Sequence, residues 1–303
     1  MECRRPELRA AALPTRGSME SIMIKDVLVH LDGGADDELR LAHAEAIASV
    51  SGARVRGLFT NLLPDLAVMT PMDGGAAAAE VIASLDEEAR RNGDRTQQRL
   101  AERFARLSVP NEVRRLDGTP GQLMNQAVSE ARRSDLFVAQ RPYDGDGSAP
   151  WDDLFESVLF GSGRGIYVVP PGRRPSDAIR RILVAWRDTR ETARAIAEAA
   201  PLIARAARTC VLAVDPEETA SGKPALDLDV ARHLERYGTE VEVNLARSDG
   251  RAVSEVILDQ ARRMSADLIV MGGYGHSRAR EWILGGTSRD MLERSDLPLL
   301  MAH

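Results

Sequence analysis

The sequence is poor in most features that announce a function. Its 303 residues include two cysteines, Cys3 and Cys210, too few and too far apart for a disulfide framework or a cysteine metal site. Aromatic residues make up 4% of the chain and no low-complexity tract occurs. No apolar run approaches the roughly 20 residues needed to cross a bilayer. Positive charge is not in excess: the formal net charge is −6, which gives no general attraction to nucleic acid or anionic lipid, so neither is expected as a partner. Residues 1–21 carry Cys3, several arginines and Pro14 but no apolar core for a signal peptide. They read as a disordered extension, with folded sequence from Ile22 onward. This balance fits a reducing cytoplasm.

What is present is an alternation of short apolar runs and helical stripes. Residues 27–31 read as a strand ending at Asp32, followed by a turn at Gly33-Gly34 and a helical stripe of Leu39, Ala42, Ala46 and Val50 that stops at Gly52. Residues 55–59 suit a second strand. After a loop rich in proline and glycine, residues 78–107 form a long amphipathic segment with a break expected at Asn92-Gly93. Thr119 before Pro120 is a cap residue followed by the residue favoured at the first helical position. Residues 136–139 and 166–169 are further buried strands, and residues 170–175, P-P-G-R-R-P, form a linker.

After the linker the pattern restarts, with residues 182–186 mirroring 27–31 at an offset of 155. Asp188 and Glu191 have capping-box spacing, and Pro201 inside the following stripe should kink that helix. Strands follow at 211–214, 241–245, 268–271 and 299–302, with helical faces between them. The sequence therefore predicts two tandem β-α-β-α-β-α-β-α-β units, each large enough for its own core. Their final strands, Ile166–Val169 and Leu299–Ala302, are apolar edges that invite pairing with each other.

The chemistry concentrates after the buried run Leu268-Ile269-Val270-Met271. Gly272 and Gly275 allow a sharp turn and close approach of backbone to a ligand. Nine residues after Gly275 come Gly285 and Gly286, then Thr287 and Ser288, opening a helical pattern through Arg294. Free N–H groups at a helix start favour phosphate. This G-x-x-G, nine residues, glycine plus small residue resembles the ATP-binding motif of the universal stress protein family. Gly286 departs from the family's Ser or Thr, and the hydroxyls follow at Thr287 and Ser288.

The resemblance covers nearly all of residues 22–303, with the motif only in the second half. It implies an α/β fold of two doubly wound five-stranded parallel sheets in strand order 3-2-1-4-5. The N-terminal domain would span 22–172 and the C-terminal domain 173–303. It further implies ATP or a related adenine nucleotide, with or without magnesium, bound by Val214, Met271, Gly272, Gly275, His276, Gly285, Gly286, Thr287 and Ser288. No catalytic or metal residue is expected, and the halves should form an internal pseudo-dimer, with a homodimer of whole chains left open. An acidic residue often closes the family's first strand; Asp32 does so in the first half, Arg187 in the second, with Asp188 beside it.

His276 lacks the orienting partner or metal set that catalysis would need. Arg278 and Arg280 suit either polyphosphate or a helix surface, and Trp282 suits a core contact. Residues 221–224, S-G-K-P, lack the upstream glycine of a P-loop. Aligning Asp135 with Asp267 places Gln140 at Gly272 and Tyr143 at Gly275, so side chains fill the first half's site. Three readings stay open: a nucleotide-binding stress protein, a nucleotidyl transferase or pyrophosphatase, and a nucleotide-free interaction module.

Overall fold

The computed structural model describes residues 23–65, 76–143, 151–216, 228–273 and 286–303. Strands β1 (Asp26–Leu31), β2 (Arg54–Leu62), β3 (Asn111–Gly118), β4 (Leu136–Gln140) and β5 (Ile166–Val169) form the first half. Strands β6 (Arg181–Ala185), β7 (Arg208–Val214), β8 (Glu240–Ala246), β9 (Leu268–Gly272) and β10 (Leu299–Ala302) form the second. The order across the sheet is β3-β2-β1-β4-β5-β10-β9-β6-β7-β8. Each half is thus a doubly wound unit of order 3-2-1-4-5.

The two expected sheets are one sheet of ten strands, because the apolar edges meet. β5 and β10 pair antiparallel, Ile166 with Met301, Tyr167 with Leu300 and Val168 with Leu299. That register is symmetric about the Tyr167–Leu300 pair. All other pairings are parallel. Strands β1, β4, β6 and β9 are covered on both faces, which is why they read as unbroken apolar runs.

Helices α1 (Asp37–Ser51), α2 (Ala76–Phe104), α3 (Pro120–Ala131) and α4 (Trp151–Gly161) belong to the first half. Helices α5 (Arg190–Ile203), α6 (Leu228–Glu235), α7 (Val253–Arg263) and α8 (Gly286–Arg294) belong to the second. One apolar cluster joins α1, α2, α5 and α6 to one sheet face; a second joins α3, α4, α7 and α8 to the other. Each cluster runs through both halves.

One expectation needs correction. α2 runs unbroken through Asn92-Gly93. A Cβ at Gly93 would lie 2.4 Å from an Arg115 guanidinium nitrogen, so this glycine admits Arg115, which bonds Asp94 and the Arg90 carbonyl. β3 had no apolar run to reveal it: it is an edge strand on which Glu112, Arg114 and Asp117 are exposed, while Arg115 packs against α2. α4 follows the rebuilt loop of the first half and buries Leu154, Phe155, Val158 and Leu159. The expected extension at 1–21 lies outside the described residues.

Candidate functional site

In an open α/β sheet, ligands bind outside the carboxyl ends of the strands where the order reverses. In the second half that point lies between β6 and β9, and Ala185 at the end of β6 is flanked by Leu212 and Met271. Val214, the last residue of β7, is half-buried and packs on the same face as Met271, which is buried in the core. Asp215 closes this rim in a left-handed conformation, φ 48°. Its carboxylate accepts the Ser248 N–H at 2.9 Å and is held below the usual carboxylate range by Ser248's hydroxyl and amide.

Gly272 has a packing role that the sequence did not show. A Cβ there would lie 2.7 Å from the Thr192 nitrogen and 2.9 Å from the Glu191 carbonyl carbon. The first turn of α5 therefore stands directly on it. That helix is capped by Thr189, whose Oγ1 accepts the Thr192 N–H at 3.3 Å. The cap is one residue past the expected Asp188, because the Thr189 hydroxyl is the one that reaches an orphan N–H. α5 continues through Pro201, and the Ala204 N–H still bonds the Ala200 carbonyl at 2.9 Å. Arg187 and Asp188 are exposed at the strand end.

The loop leaving β9 is rooted by the last strand and by the other half of the molecule. The Gly273 N–H donates to the Ala302 carbonyl at 2.8 Å, and the Gly273 carbonyl accepts from His303 Nδ1 at 3.0 Å. Nδ1 therefore carries the proton, and Nε2 accepts from Arg190 at 3.3 Å. Phe160 of α4 meets the His303 ring edge-on, centroids 4.8 Å apart. Gly275, His276 and Gly285 lie outside the described residues, as do Arg278, Arg280 and Trp282.

α8 begins at Gly286, and as the crossover between parallel β9 and β10 it starts at the carboxyl end of β9. Its first-turn N–H groups have no partner within the helix, as at any helix start. A Cβ at Gly286 meets no described atom within 4 Å, and its φ is not left-handed. Thr287 is half-buried and Ser288 buried. α8 is fixed by Ser254, which donates to Asp290 at 3.0 Å. Arg289 lies over the Tyr143 ring of the first half at 5.1 Å.

The first half fills the same position with its own side chains. Ala185 is replaced by His30, 1% exposed, whose ring meets Trp151 of α4 at 4.9 Å. The Thr60 hydroxyl donates to the Leu31 carbonyl at 3.3 Å, so His30 Nε2 donates to Thr60 Oγ1 at 2.8 Å. That leaves Nδ1 as acceptor, facing Arg40 at 3.5 Å. Burial, with Arg40 adding to it, pushes His30 down to about 3. Arg40, also 1% exposed, pairs with Asp32 at 2.8 Å and Asp37 at 2.5 Å. Burial pushes Asp37 up to about 6 against the pull of Arg40, with Asp32 pushing the same way as burial. For Asp32, burial is outweighed by Arg40 and the bonds around it, and its pKa is lowered.

Tyr143, aligned with Gly275, has φ 65°. Its N–H is held by Asp152 at 2.9 Å and its hydroxyl by Glu156. A left-handed turn follows β4 here, the conformation that a glycine adopts most readily. None of Trp151, Arg40 or His30 was singled out from sequence. His30 and Arg40 lie 10 residues apart, Trp151 comes from a distant helix, and no local pattern marks them.

Among the described residues no three His, Cys, Asp or Glu gather as a metal site, and no helix is long and apolar enough to cross a membrane. Residues 178–303 match the model of the universal stress protein family. The whole fold is similar to a universal stress protein from Archaeoglobus fulgidus, at 17% identity and a TM-score of 0.69, covering 93% of this chain and 97% of that one. It is also similar to a putative universal stress protein from Pseudomonas aeruginosa, at 17% identity and a TM-score of 0.54, covering 94% of each chain. No curated protein matches the chain.

Proposed function

We propose that this chain is a stress-response protein that binds ATP or a related adenine nucleotide in its second half and works by binding rather than catalysis. Residues 173–303 are the site-bearing domain and residues 22–172 a structural partner in an internal pseudo-dimer. The observation that carries this reading is the contrast at one topological position. His30, Arg40 and Trp151 plug the first half, whereas Ala185, an open Gly286 and the start of α8 occupy the second.

The residues fit a nucleotide. Val214 and Met271 border the base, and the first turn of α8 offers backbone N–H groups and the Thr287 hydroxyl to phosphate. Gly275, His276 and Gly285, which fall between Met271 and α8 in the sequence, are assigned to the same site. Magnesium would come with the phosphates, because no carboxylate set gathers among the described residues and this ion needs only one or two. A nucleotidyl transferase would need a phosphate cradle after β6, where Arg187 and Asp188 stand instead.

One observation favours a nucleotide-free interaction module: the contact of Gly272 with α5 explains one motif glycine without any ligand. Calorimetric titration with ATP, beside mass spectrometry of nucleotide released from gently purified protein, separates the two. ATP should bind the parent and Gly161→Ala alike and fail to bind Gly275→Val. Absence of binding at millimolar ATP, with no nucleotide released, leaves the interaction module.

A further inference from the structure

A cavity of about 70 Å³ lies between the halves, on the face of the sheet that carries α1 and α5. The chain that links the halves forms one side of it. Ile47 and Val50 of α1, Ile179 beyond the linker and Leu202 of α5 give it apolar walls. A space of this size holds roughly five water-sized volumes, yet water needs two to four polar partners in such a place. These four side chains supply none, although Ser51 and Ser176 also line the cavity.

The polar groups at its inner end satisfy each other. His43, 1% exposed, meets the Arg173 carbonyl through Nε2 at 2.8 Å. A carbonyl only accepts, so Nε2 carries the proton and Nδ1 accepts from the Tyr167 hydroxyl at 3.2 Å. Burial also favours the neutral ring. The inner wall is therefore uncharged.

Charge is confined to the mouth. Arg174 and Arg205 line the cavity, are exposed, and form no ion pair among the described residues. Arg173 donates to the Asp296 carbonyl at 3.2 Å. Of the two acids there, Asp267 is occupied by the backbone N–H groups of Arg180 and Arg181, both at 2.9 Å. Asp177 is the other, leaving cationic charge in excess.

We propose that this cavity is a second ligand site, for a small amphipathic carboxylate: its aliphatic chain lies against Ile47 and Leu202, its head between Arg174 and Arg205. Such a ligand touches both halves and the linker at once, so it ties them together. The site is separate from the nucleotide reading and does not depend on it.

The test is calorimetric titration of the full chain with octanoate, with octanol as the uncharged comparator. Octanoate should bind saturably and more tightly than octanol. Ala46→Phe and Ala178→Phe each place a ring in the cavity and should weaken octanoate by about tenfold or more, the equivalent of a lost apolar contact. Two fillers on different segments guard against one that fails to fold, which circular dichroism detects. Arg174→Ser with Arg205→Ser should reduce the preference for octanoate over octanol by about three- to tenfold, as expected for exposed ion pairs. No binding by the parent at millimolar octanoate overturns the proposal. So does unchanged affinity in a folded filled variant, or equal affinity for octanol in the parent.

Discussion

The two halves share a strand order and differ in what stands at the reversal of that order. In the first, His30, Arg40 and Trp151 close the strand ends with a buried polar cluster tied to Asp32, Asp37 and Thr60. In the second, the counterparts of His30 and Arg40 at the 155-residue offset are Ala185 and Ala195. The comparison teaches that side chains can fill the point of strand-order reversal in this fold. A cleft emptied of ligand exposes strand ends; a cluster such as this one satisfies them internally.

The strongest way to break the comparison is to empty the first half. Arg40→Ala gives it the second half's residue but leaves Asp32 and Asp37 buried without their cation. Removing one partner of a buried ion pair costs about 3–5 kcal/mol, since the carboxylates lose the charge that offset their desolvation. Urea denaturation should show that loss, and ATP should gain no second binding site. A loss under 1 kcal/mol would mean that Arg40 contributes little to the plug.

Gly272 tests the other half. Gly272→Ala sets a methyl against the Thr192 nitrogen and Glu191 carbonyl carbon, and overpacking against backbone costs about 1–3 kcal/mol. The first half carries Gln140 at the aligned position because α1 begins at Asp37, two residues later than α5 by the same offset. Its first turn therefore leaves room for a side chain. Gln140→Gly should change stability by less than Gly272→Ala does in the same denaturation assay.

These positions also show what the sequence disclosed. β1, β4, β6 and β9 were legible because burial on both faces leaves unbroken apolar runs. β3 was not, since an edge strand with Glu112, Arg114 and Asp117 exposed has no such signature. Gly93 misled because its value lies in a contact with Arg115, not in a break. The side chains of Gln140 and Tyr143, aligned with Gly272 and Gly275, were visible in the sequence, but the cluster of His30, Arg40 and Trp151 was not. His30 and Trp151 are 121 positions apart in the chain, and only the fold brings them together.

His30 gives the comparison a pH dependence. The folded state holds it near 3, while an unfolded histidine titrates near 6.5. Below that value the unfolded chain binds a proton that the folded one refuses, so this contribution is present above pH 6.5 and is lost as pH falls towards 3. Asp37 acts in the opposite sense: its raised value favours the fold below its ordinary range, an advantage lost as pH rises through about 6. His30→Gln should cost about 1 kcal/mol at pH 7, one hydrogen bond and a ring contact. That difference should fall and then reverse in sign between pH 6.5 and 4 in urea denaturation at each pH. A constant difference would show that His30 protonates in the folded protein.

The smallest effect belongs to Gly286. A Cβ there meets no described atom within 4 Å and the backbone is not left-handed, so a side chain adds no strain. Replacing a helical glycine at a compatible position raises stability by about 0.4–1 kcal/mol through the unfolded chain, less in a first turn than in a helix interior. Gly286→Ser also restores the hydroxyl that the family resemblance places after the last glycine. Its Oγ would stand beside the free N–H groups of the α8 start, where one further hydrogen bond to phosphate is worth about 0.5–1.5 kcal/mol. Gly286→Ala separates the two contributions, since it carries the Cβ without the hydroxyl. Both variants should be slightly more stable than the parent, and only Gly286→Ser should bind ATP more tightly, by about two- to tenfold. If Gly286→Ala tightens ATP equally, the gain comes from ordering the helix start. If both variants lose ATP, the phosphate lies where the Cβ stands, and the missing side chain in the second half is as much a part of its site as the added ones are of the first half's plug.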